Sequence, residues 1–296
     1  MSASAFSSLD PRAPISEFDW PGHSGPLRLR LYRSQASKPA LLVFFAPGGF
    51  VAPDLDEANG CLRVLADACG AHILAPTYAE SPDRAFPAPV EDAHVVLSMV
   101  AQHRAQLASR SARLFVAGCE AGGNLAAVSA LVCRDRLGPS LAGQILVTPM
   151  LDASMGCGSM RCAANDPQQR ELAQAAEAAY RRYLPNPGDR LHPYASPLNA
   201  RRLSGLPPAL IFHTQGDPLA DEAKAYAAQL REAGNVAHDV ALPPPDSLRD
   251  AADRCELTAE DPCVLAMQAF IARPNDFLSP SLPQGDPCLK PPPLRT

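Results

Sequence analysis

Three short runs of consecutive apolar residues stand out along the chain, at residues 41–45, 114–117 and 209–212. Weaker runs lie at residues 72–75 and 145–147. A strand that is buried on both faces of a parallel sheet shows such a continuous run, whereas a strand with one solvent face alternates. The pattern therefore predicts a central, mostly parallel sheet.

Helical periodicity lies between these runs. Apolar residues recur at spacings of three and four within four segments, namely residues 56–69, 90–107, 123–137 and 221–233. Gly234 follows the last segment, at a position where glycine commonly ends a helix. Because predicted strands and helices alternate, we expect an α/β fold with helices on both faces of the sheet.

Three segments depart from this alternation. Residues 152–187 are rich in alanine and lack a strand pattern, so we expect them to form, with residues 1–20, a small helical cap over the carboxyl edge of the sheet. Residues 273–296 contain many prolines and are predicted to be an extended tail. The prediction is thus a single domain over residues 1–272, which is long enough to bury a full core.

Composition narrows the possible partners and location. The chain is 47% apolar and 19% charged, which is typical of a folded domain rather than a disordered one. Its net charge is −5 and it has no basic stripe, so we expect no nucleic-acid partner. No apolar run approaches the ~20 residues of a membrane span, and residues 1–20 lack the pattern of a signal peptide. We therefore expect a cytoplasmic protein.

The cysteines indicate thiols rather than a disulfide framework. There are nine, an odd number, and most lie in apolar or helical stretches, as reduced thiols in a reducing compartment do. Cys157 and Cys162 are close in sequence, but no matching Cys/His cluster accompanies them, and a structural zinc site needs about four such ligands. We expect neither a metal nor a cofactor.

The segment that carries candidate chemistry is LFVAGCEAGGNL, residues 114–125. A predicted strand runs into Gly118, and a predicted helix follows Gly122. This G-x-nucleophile-x-G spacing is typical of a nucleophile elbow, whose sharp turn presents one side chain at the start of the helix. Here that side chain belongs to Glu120.

Six separate segments together resemble the hormone-sensitive-lipase-like branch of the α/β-hydrolases, over about residues 24–272. The elbow resembles the family's GDSAGGNL, and the other five occur in family order. They are FAPGGFV at 45–51 (the HGGGF oxyanion loop), YAESPDRAFPAPVED at 78–92, PYASPL at 193–198, LPPAL at 206–210 and GDPLADE at 216–222. The resemblance implies an α/β-hydrolase fold and an ester-hydrolase ancestry.

Two catalytic positions of that family hold other residues. Glu120 stands where the family has its serine nucleophile, which attacks the acyl carbon while a histidine removes its proton. The histidine would follow the strand that ends near Leu242, and the aligned residue is Asp246 or Ser247, with the register left open by the prolines. No histidine follows His238.

Other family positions are retained. The resemblance places the triad acid at Asp217 and the oxyanion-stabilising N–H groups at Gly48, Gly49 and Ala121. Backbone donors do not depend on side-chain identity, so the oxyanion hole could still form. Asp217 also fits a purely structural role, because Asp-Pro at a strand end makes a good turn and cap.

Glu120 has two interpretations. It could act as the nucleophile, as an elbow aspartate does in dehalogenase-like members, or as a general base, with Asp246 or His213 assisting. The interpretation that we favour places its carboxylate in the oxyanion hole, accepting hydrogen bonds from Ala121 and Gly49. A Cys119 thiolate is a weaker candidate nucleophile, because no base is placed for it.

The sequence therefore predicts a catalytically degenerate esterase-like protein that binds a small apolar or ester-like molecule, or a protein partner, without turnover. The alternative is a hydrolase of small esters or related substrates that uses Glu120. Since the family commonly pairs through its last strand and helix, residues 236–242 are a candidate edge for a homodimer.

Overall fold

A single eight-stranded sheet runs through the part of the chain that the computed structural model describes, which is residue 10 and residues 12–243 and 257–277. The strand order is β1-β2-β4-β3-β5-β6-β7-β8. β1 and β2 are antiparallel to their neighbours, and the remaining pairs are parallel. The strands are β1 Ile15–Pro21, β2 Pro26–Tyr32, β3 Ala40–Phe45, β4 Ala71–Pro76, β5 Leu114–Cys119, β6 Gly143–Val147, β7 Ala209–Thr214 and β8 Ala237–Leu242.

Helices cover both faces of this sheet, as the alternating sequence pattern predicts. α1 and α8 pack on one face, and α2, α4 and α7 pack on the other. The α-helices of the described residues are α1 Asn59–Cys69, α2 Ala88–Gln102, α3 Arg104–Leu107, α4 Ala121–Asp135, α5 Gly158–Cys162, α6 Pro167–Tyr183, α7 Ala220–Glu232 and α8 Pro262–Ala272.

The central strand β3 shows why the apolar runs are continuous. Leu41, Val43 and Phe45 join the core on the α2/α4 face, whereas Leu42 and Phe44 join the core on the α1/α8 face. Every side chain of the strand is buried, so a polar residue at any of these positions would lose its hydration. The predicted parallel sheet is confirmed.

The first strand corrects the predicted cap. Residues 15–20 were assigned to a cap, but they belong to β1, which pairs antiparallel with β2. Phe18 and Trp20 are buried while Asp19 between them is exposed, as alternation in a strand with one solvent face requires. Residues 1–9 lie outside the described residues.

The segment 152–187 is helical, as predicted, and contains α5 and α6. α6 buries Ala176, Ala179, Tyr180 and Tyr183. These residues are three or four positions apart and so form one face of the helix. That face rests on the loop after β3, which positions the candidate site.

The predicted boundary of the tail is too early. α8 ends at Ala272, where the domain was predicted to end, but Pro274 and Phe277 beyond it are buried. The Phe277 ring lies 5.8 Å from Phe270 and 5.0 Å from His238, both edge to face. The packed domain therefore reaches Phe277, and the rest of the proposed tail lies outside the described residues.

Candidate functional site

A sharp turn joins β5 to α4, and Glu120 is its apex. The residue has φ 55° and ψ −115°, a conformation that side chains rarely adopt and that costs roughly 1–3 kcal/mol. Two glycines make the turn possible. A Cβ on Gly118 would lie 2.1 Å from the carbonyl oxygen of Gly122, and one on Gly122 would lie 2.0 Å from that of Phe45. The predicted elbow geometry is thus present.

Hydrogen bonds hold the Glu120 backbone in this strained state. Its N–H donates to the Val147 carbonyl at 3.0 Å, and its own carbonyl accepts from the N–H groups of Asn124 and Met150, each at 3.1 Å. The Asn124 side-chain amide, which is fully buried, donates to the Met150 and Ala195 carbonyls at 2.8 and 2.9 Å. Strain of this kind persists where the surroundings over-determine the conformation.

The Glu120 carboxylate reaches the loop after β3. Its Oε2 accepts a hydrogen bond from the Gly48 backbone N–H at 3.3 Å. The sequence prediction named Gly49 and Ala121 as the donors, and this detail is wrong for the described residues. Gly48 has φ 131°, a conformation that favours glycine. The side chain is half-buried.

The loop that carries Gly48 and Gly49 is clamped by α6. The Phe50 ring stacks on the Tyr183 ring with centroids 3.8 Å apart and planes within 6° of each other. A Cβ on Gly49 would lie 3.2 Å from that of Ala179. Such close aromatic and backbone packing fixes the loop against the cap segment, so the donors of the loop are preorganised.

Tyr78 is a buried neighbour of the site that the sequence analysis did not single out. Its hydroxyl donates to the Ala46 carbonyl at 3.2 Å. Burial, and then the negative charge of Glu120, raise the pKa of Tyr78 well above its ordinary value. The tyrosine is therefore a neutral hydrogen-bond donor. Its place at the start of the segment 78–92 was the available signal.

Asp217 lies in the turn between β7 and α7. It is buried, and its Oδ1 accepts from the Leu219 N–H at 2.8 Å. Gly216 before it has φ 86°. This hydrogen bond and the glycine conformation fit the turn-forming role that Asp-Pro at a strand end can take. Asp246, the second expected acidic residue, lies outside the described residues.

The other two candidate residues, His213 and Cys119, contact groups other than the Glu120 carboxylate. His213 is buried at the end of β7, and its Nε2 lies 3.6 Å from Oδ2 of Asp239 on β8. Burial first, and then Lys224, lower the pKa of His213, while Asp239 partly opposes this shift. Cys119 packs toward the α1/α8 face, with its Sγ 4.0 Å from Oγ1 of Thr148. Among the described residues, the ion-pair partner of His213 is thus Asp239 and not Glu120.

Comparisons with known proteins decide the family. Residues 42–242 match the model of the alpha/beta hydrolase fold family. The chain belongs to this family. Among its relatives is Esterase LipI of Mycobacterium tuberculosis (strain ATCC 25618 / H37Rv), which is 33% identical over 233 residues, 76% of this chain and 72% of LipI.

A second relative and a solved structure agree with this assignment. Carboxylic ester hydrolase LipN of the same organism is 33% identical over 230 residues, which are 75% of this chain and 60% of LipN. The solved esterase of Pyrobaculum calidifontis superposes with a TM-score of 0.79 and 31% identity, covering 91% of this chain and 87% of that one. The chain is thus an esterase-like α/β-hydrolase.

Glu222 is a further buried acid of this α/β-hydrolase. It lies in the first turn of α7 and is fully buried. Its Oε2 accepts from the N–H groups of Leu151 and Asp152 at 2.7 and 3.0 Å. Burial raises the pKa of Glu222 from 4.5 to about 8, although these N–H bonds oppose the shift. Glu222 ties α7 to the start of the cap segment.

The part of this α/β-hydrolase that the structure describes contains neither a metal-binding cluster nor a membrane-spanning helix. Across residues 12–243 and 257–277, no group of three or more His, Cys, Asp or Glu side chains is arranged to hold a metal ion. Within the same ranges, no helix is both long and apolar enough to cross a membrane.

Proposed function

We propose that this α/β-hydrolase is a catalytically degenerate member of its family that binds a small apolar or ester-like molecule, or a protein partner, without serine-esterase turnover. The observation that carries the proposal is the hydrogen bond between the Glu120 carboxylate and the Gly48 N–H. The elbow and the loop after β3 are both present, and the elbow presents an anion.

An anion at this position opposes acyl transfer. In a serine esterase the backbone donors of the hole stabilise negative charge that develops on the substrate oxygen. Here a fixed carboxylate already occupies one donor, and it would repel a second negative charge nearby. Loss of the nucleophile from a serine triad costs ~10⁶-fold in kcat in a measured case, and further losses add little.

A hydrolase that uses Glu120 directly is the second candidate. The strained elbow conformation favours it, because φ 55° at Glu120 keeps the carboxylate where a nucleophile would stand. A carboxylate nucleophile forms an ester intermediate that an activated water must then release. His213 is directed to Asp239 instead of the elbow, which supports the degenerate interpretation over this one.

We also propose that two copies of the chain pair through β8 and α8. β8 is the last strand of the sheet order, so one side of its backbone has no strand partner among the described residues, and such an edge can accept another strand. Sedimentation velocity gives the test: we expect a dimer, and a monomer at micromolar concentration contradicts pairing.

Turnover of p-nitrophenyl acetate and butyrate tests the main proposal. The purified wild type is compared with Glu120→Ala and Cys119→Ala, and each rate is corrected for hydrolysis in buffer. We expect all three rates to equal that of buffer. A wild-type rate that Glu120→Ala abolishes would establish the second candidate, and one that only Cys119→Ala abolishes would identify a thiol nucleophile.

A further inference from the structure

A leucine follows α4 at a position where a helix end usually has glycine. Leu137 has φ 52° and comes directly after Arg136, the C-cap of the helix. The Gly138 N–H donates to the Cys133 carbonyl at 2.7 Å, and the Leu137 N–H donates to the Arg134 carbonyl at 3.5 Å. These two bonds form a Schellman motif, whose left-handed residue is commonly glycine because a side chain adopts that conformation at a cost. The backbone of the turn therefore gives no reason for a leucine.

Burial does not compensate for the strain at Leu137. The residue is 93% exposed, more than any other large apolar residue that the structure describes. The next most exposed is Leu191, at 70%, two positions before Pro193 in the sequence. Large apolar side chains that are exposed together commonly mark an interaction site. The side chain of Leu137 thus has no role in the packing of this chain, and its exposure indicates a role in binding.

Two grooves lie beside the C-terminal end of α4, and both are lined by Arg134. Each has a volume of about 300 Å³. The lining of the first groove includes Ala130, Leu137, Pro139, Leu141, Leu206 and Pro207. The lining of the second includes Leu131, Pro193, Tyr194 and Ala200. We call Leu137 and the two grooves the α4-end surface. Because α4 has 15 residues and begins at the elbow, this surface is roughly 20 Å from Glu120.

The α4-end surface is basic, although the whole chain has a net charge of −5. Arg134, Arg201 and Arg202 line the grooves together with one aspartate, Asp135. Asp135 pairs with both Arg134 and Arg202, at 2.8 and 3.2 Å, so the lining keeps a positive excess. Arg134 also suits the negative end of the α4 dipole, but Arg201 and Arg202 come from another segment and are exposed. The excess charge therefore faces solvent beside the apolar grooves.

Apolar grooves with a positive rim complement a partner that is both apolar and negatively charged. We propose that the α4-end surface docks an acidic peptide segment of another protein. Leucine or similar side chains of that segment enter the two grooves, and its carboxylates lie beside Arg201 and Arg202. Leu137 packs against the bound segment, and its side chain is then buried. The inference does not depend on the site at Glu120, because the two lie at opposite ends of α4.

The fluorescein-labelled peptide EELEELEE tests this inference beside two control peptides, EESEESEE and KKLKKLKK. Its leucines are roughly 10 Å apart in an extended chain, so that they can enter neighbouring grooves. Binding to the full-length wild type is measured by fluorescence anisotropy. We expect EELEELEE to bind at least about tenfold more tightly than either control, because one control lacks the leucines and the other lacks the negative charge. No binding of EELEELEE, or equal binding of a control, overturns the inference.

Leu137→Gly tests the apolar contact without a risk to folding. Glycine suits φ 52°, so we expect the melting temperature of the variant to stay close to that of the wild type. The affinity for EELEELEE should fall at least about fivefold, because the leucine side chain is lost from the contact. Unchanged affinity in the folded variant overturns the inference.

A matched pair of charge reversals tests the acidic contact. Arg201→Glu acts in the second groove, whereas Arg63→Glu makes the same change at an exposed position of α1, on the other face of the sheet. We expect Arg201→Glu to weaken EELEELEE at least about fivefold and Arg63→Glu to leave its affinity unchanged. Equal weakening by the two variants would show general charge attraction and overturn the inference.

Sedimentation velocity distinguishes a second copy of this chain from a foreign peptide. We expect wild type and Leu137→Gly to have the same oligomeric state, because the α4-end surface binds another protein. Self-association of the wild type that Leu137→Gly abolishes would assign the grooves to a second copy and overturn the inference.

Discussion

Glu120 combines a strained backbone with a charged side chain at the apex of the elbow. The strain comes from the backbone of the turn and the charge comes from the carboxylate. Substitutions at position 120 can therefore test the two effects separately. The hydrogen bonds from Asn124 and Met150 to the Glu120 carbonyl hold the backbone whichever side chain is present. The surrounding fold therefore holds Glu120 in a backbone conformation that lowers the free energy of unfolding.

Glycine and alanine at position 120 isolate this strain. Both remove the carboxylate, but only glycine adopts φ 55° without steric cost. Glycine also raises the entropy of the unfolded chain, which offsets part of this advantage. We therefore expect the free energy of unfolding of Glu120→Gly to exceed that of Glu120→Ala by about 1 kcal/mol. Urea denaturation of the two variants measures the difference. A more stable alanine variant would show that the elbow is not strained.

At the scale of elements, the site depends on the approach of β3, β5 and α4. Gly122, in the first turn of α4, lies against the carbonyl of Phe45 at the end of β3. This contact sets the distance between the elbow and the loop that carries Gly48. The aromatic stack of Phe50 and Tyr183 then fixes the far side of that loop against α6.

A methyl group at Gly122 should break this junction. Its Cβ would lie 2.0 Å from the Phe45 carbonyl oxygen. Relief of this clash would require the backbone of β3 or α4 to move. We expect Gly122→Ala to cost at least about 3 kcal/mol of unfolding free energy or to prevent folding. The control is Gly188→Ala, where the nearest atom is 3.5 Å away and the change should stay within about 0.5 kcal/mol. Equal stability of the two variants would contradict the tight junction.

For the whole molecule, the buried acid Glu222 links stability to pH. Its pKa is about 8 in the fold against 4.5 ordinarily, so between these values the folded chain holds a proton that the unfolded chain releases. The contribution of Glu222 to the free energy of unfolding is therefore fully present below pH 4.5 and is lost as the pH rises through 8.

Glu222→Gln removes this dependence, because glutamine stays neutral and can still accept the bonds from Leu151 and Asp152. Relative to wild type, we expect the variant to gain on the order of 3–4 kcal/mol of unfolding free energy between about pH 5 and pH 8. Urea denaturation of both proteins at each pH gives the difference between their free energies of unfolding, in which the contributions of the other titrating groups cancel. A difference that does not change with pH would show that Glu222 is ionised throughout.

The sequence predicted the strands that are buried on both faces, because such strands are continuous apolar runs. β3, β5 and β7 are apolar on both faces, so their runs are continuous. β1 escaped notice because Phe18 and Trp20 alternate with polar residues in a segment assigned to the cap. The glycine spacing of the elbow was sufficient to predict its turn.

The partners within the site were harder to predict. The resemblance pointed to Gly49 and Ala121, but the Gly48 N–H donates to Glu120, and no sequence pattern encodes which N–H of the loop faces the elbow. Burial of Glu222 depends on the position of residues 151–152 from a distant part of the chain. The register of Asp246 stays a prediction.

Intact-protein mass spectrometry gives the most direct test of the degenerate elbow. Wild type is incubated with p-nitrophenyl butyrate at neutral pH, quenched in acid, and its mass recorded, because a contaminating esterase leaves no mark on this chain. We expect an unmodified mass at every time point. A butyryl adduct that peptide mapping places on Glu120 or Cys119 would contradict it.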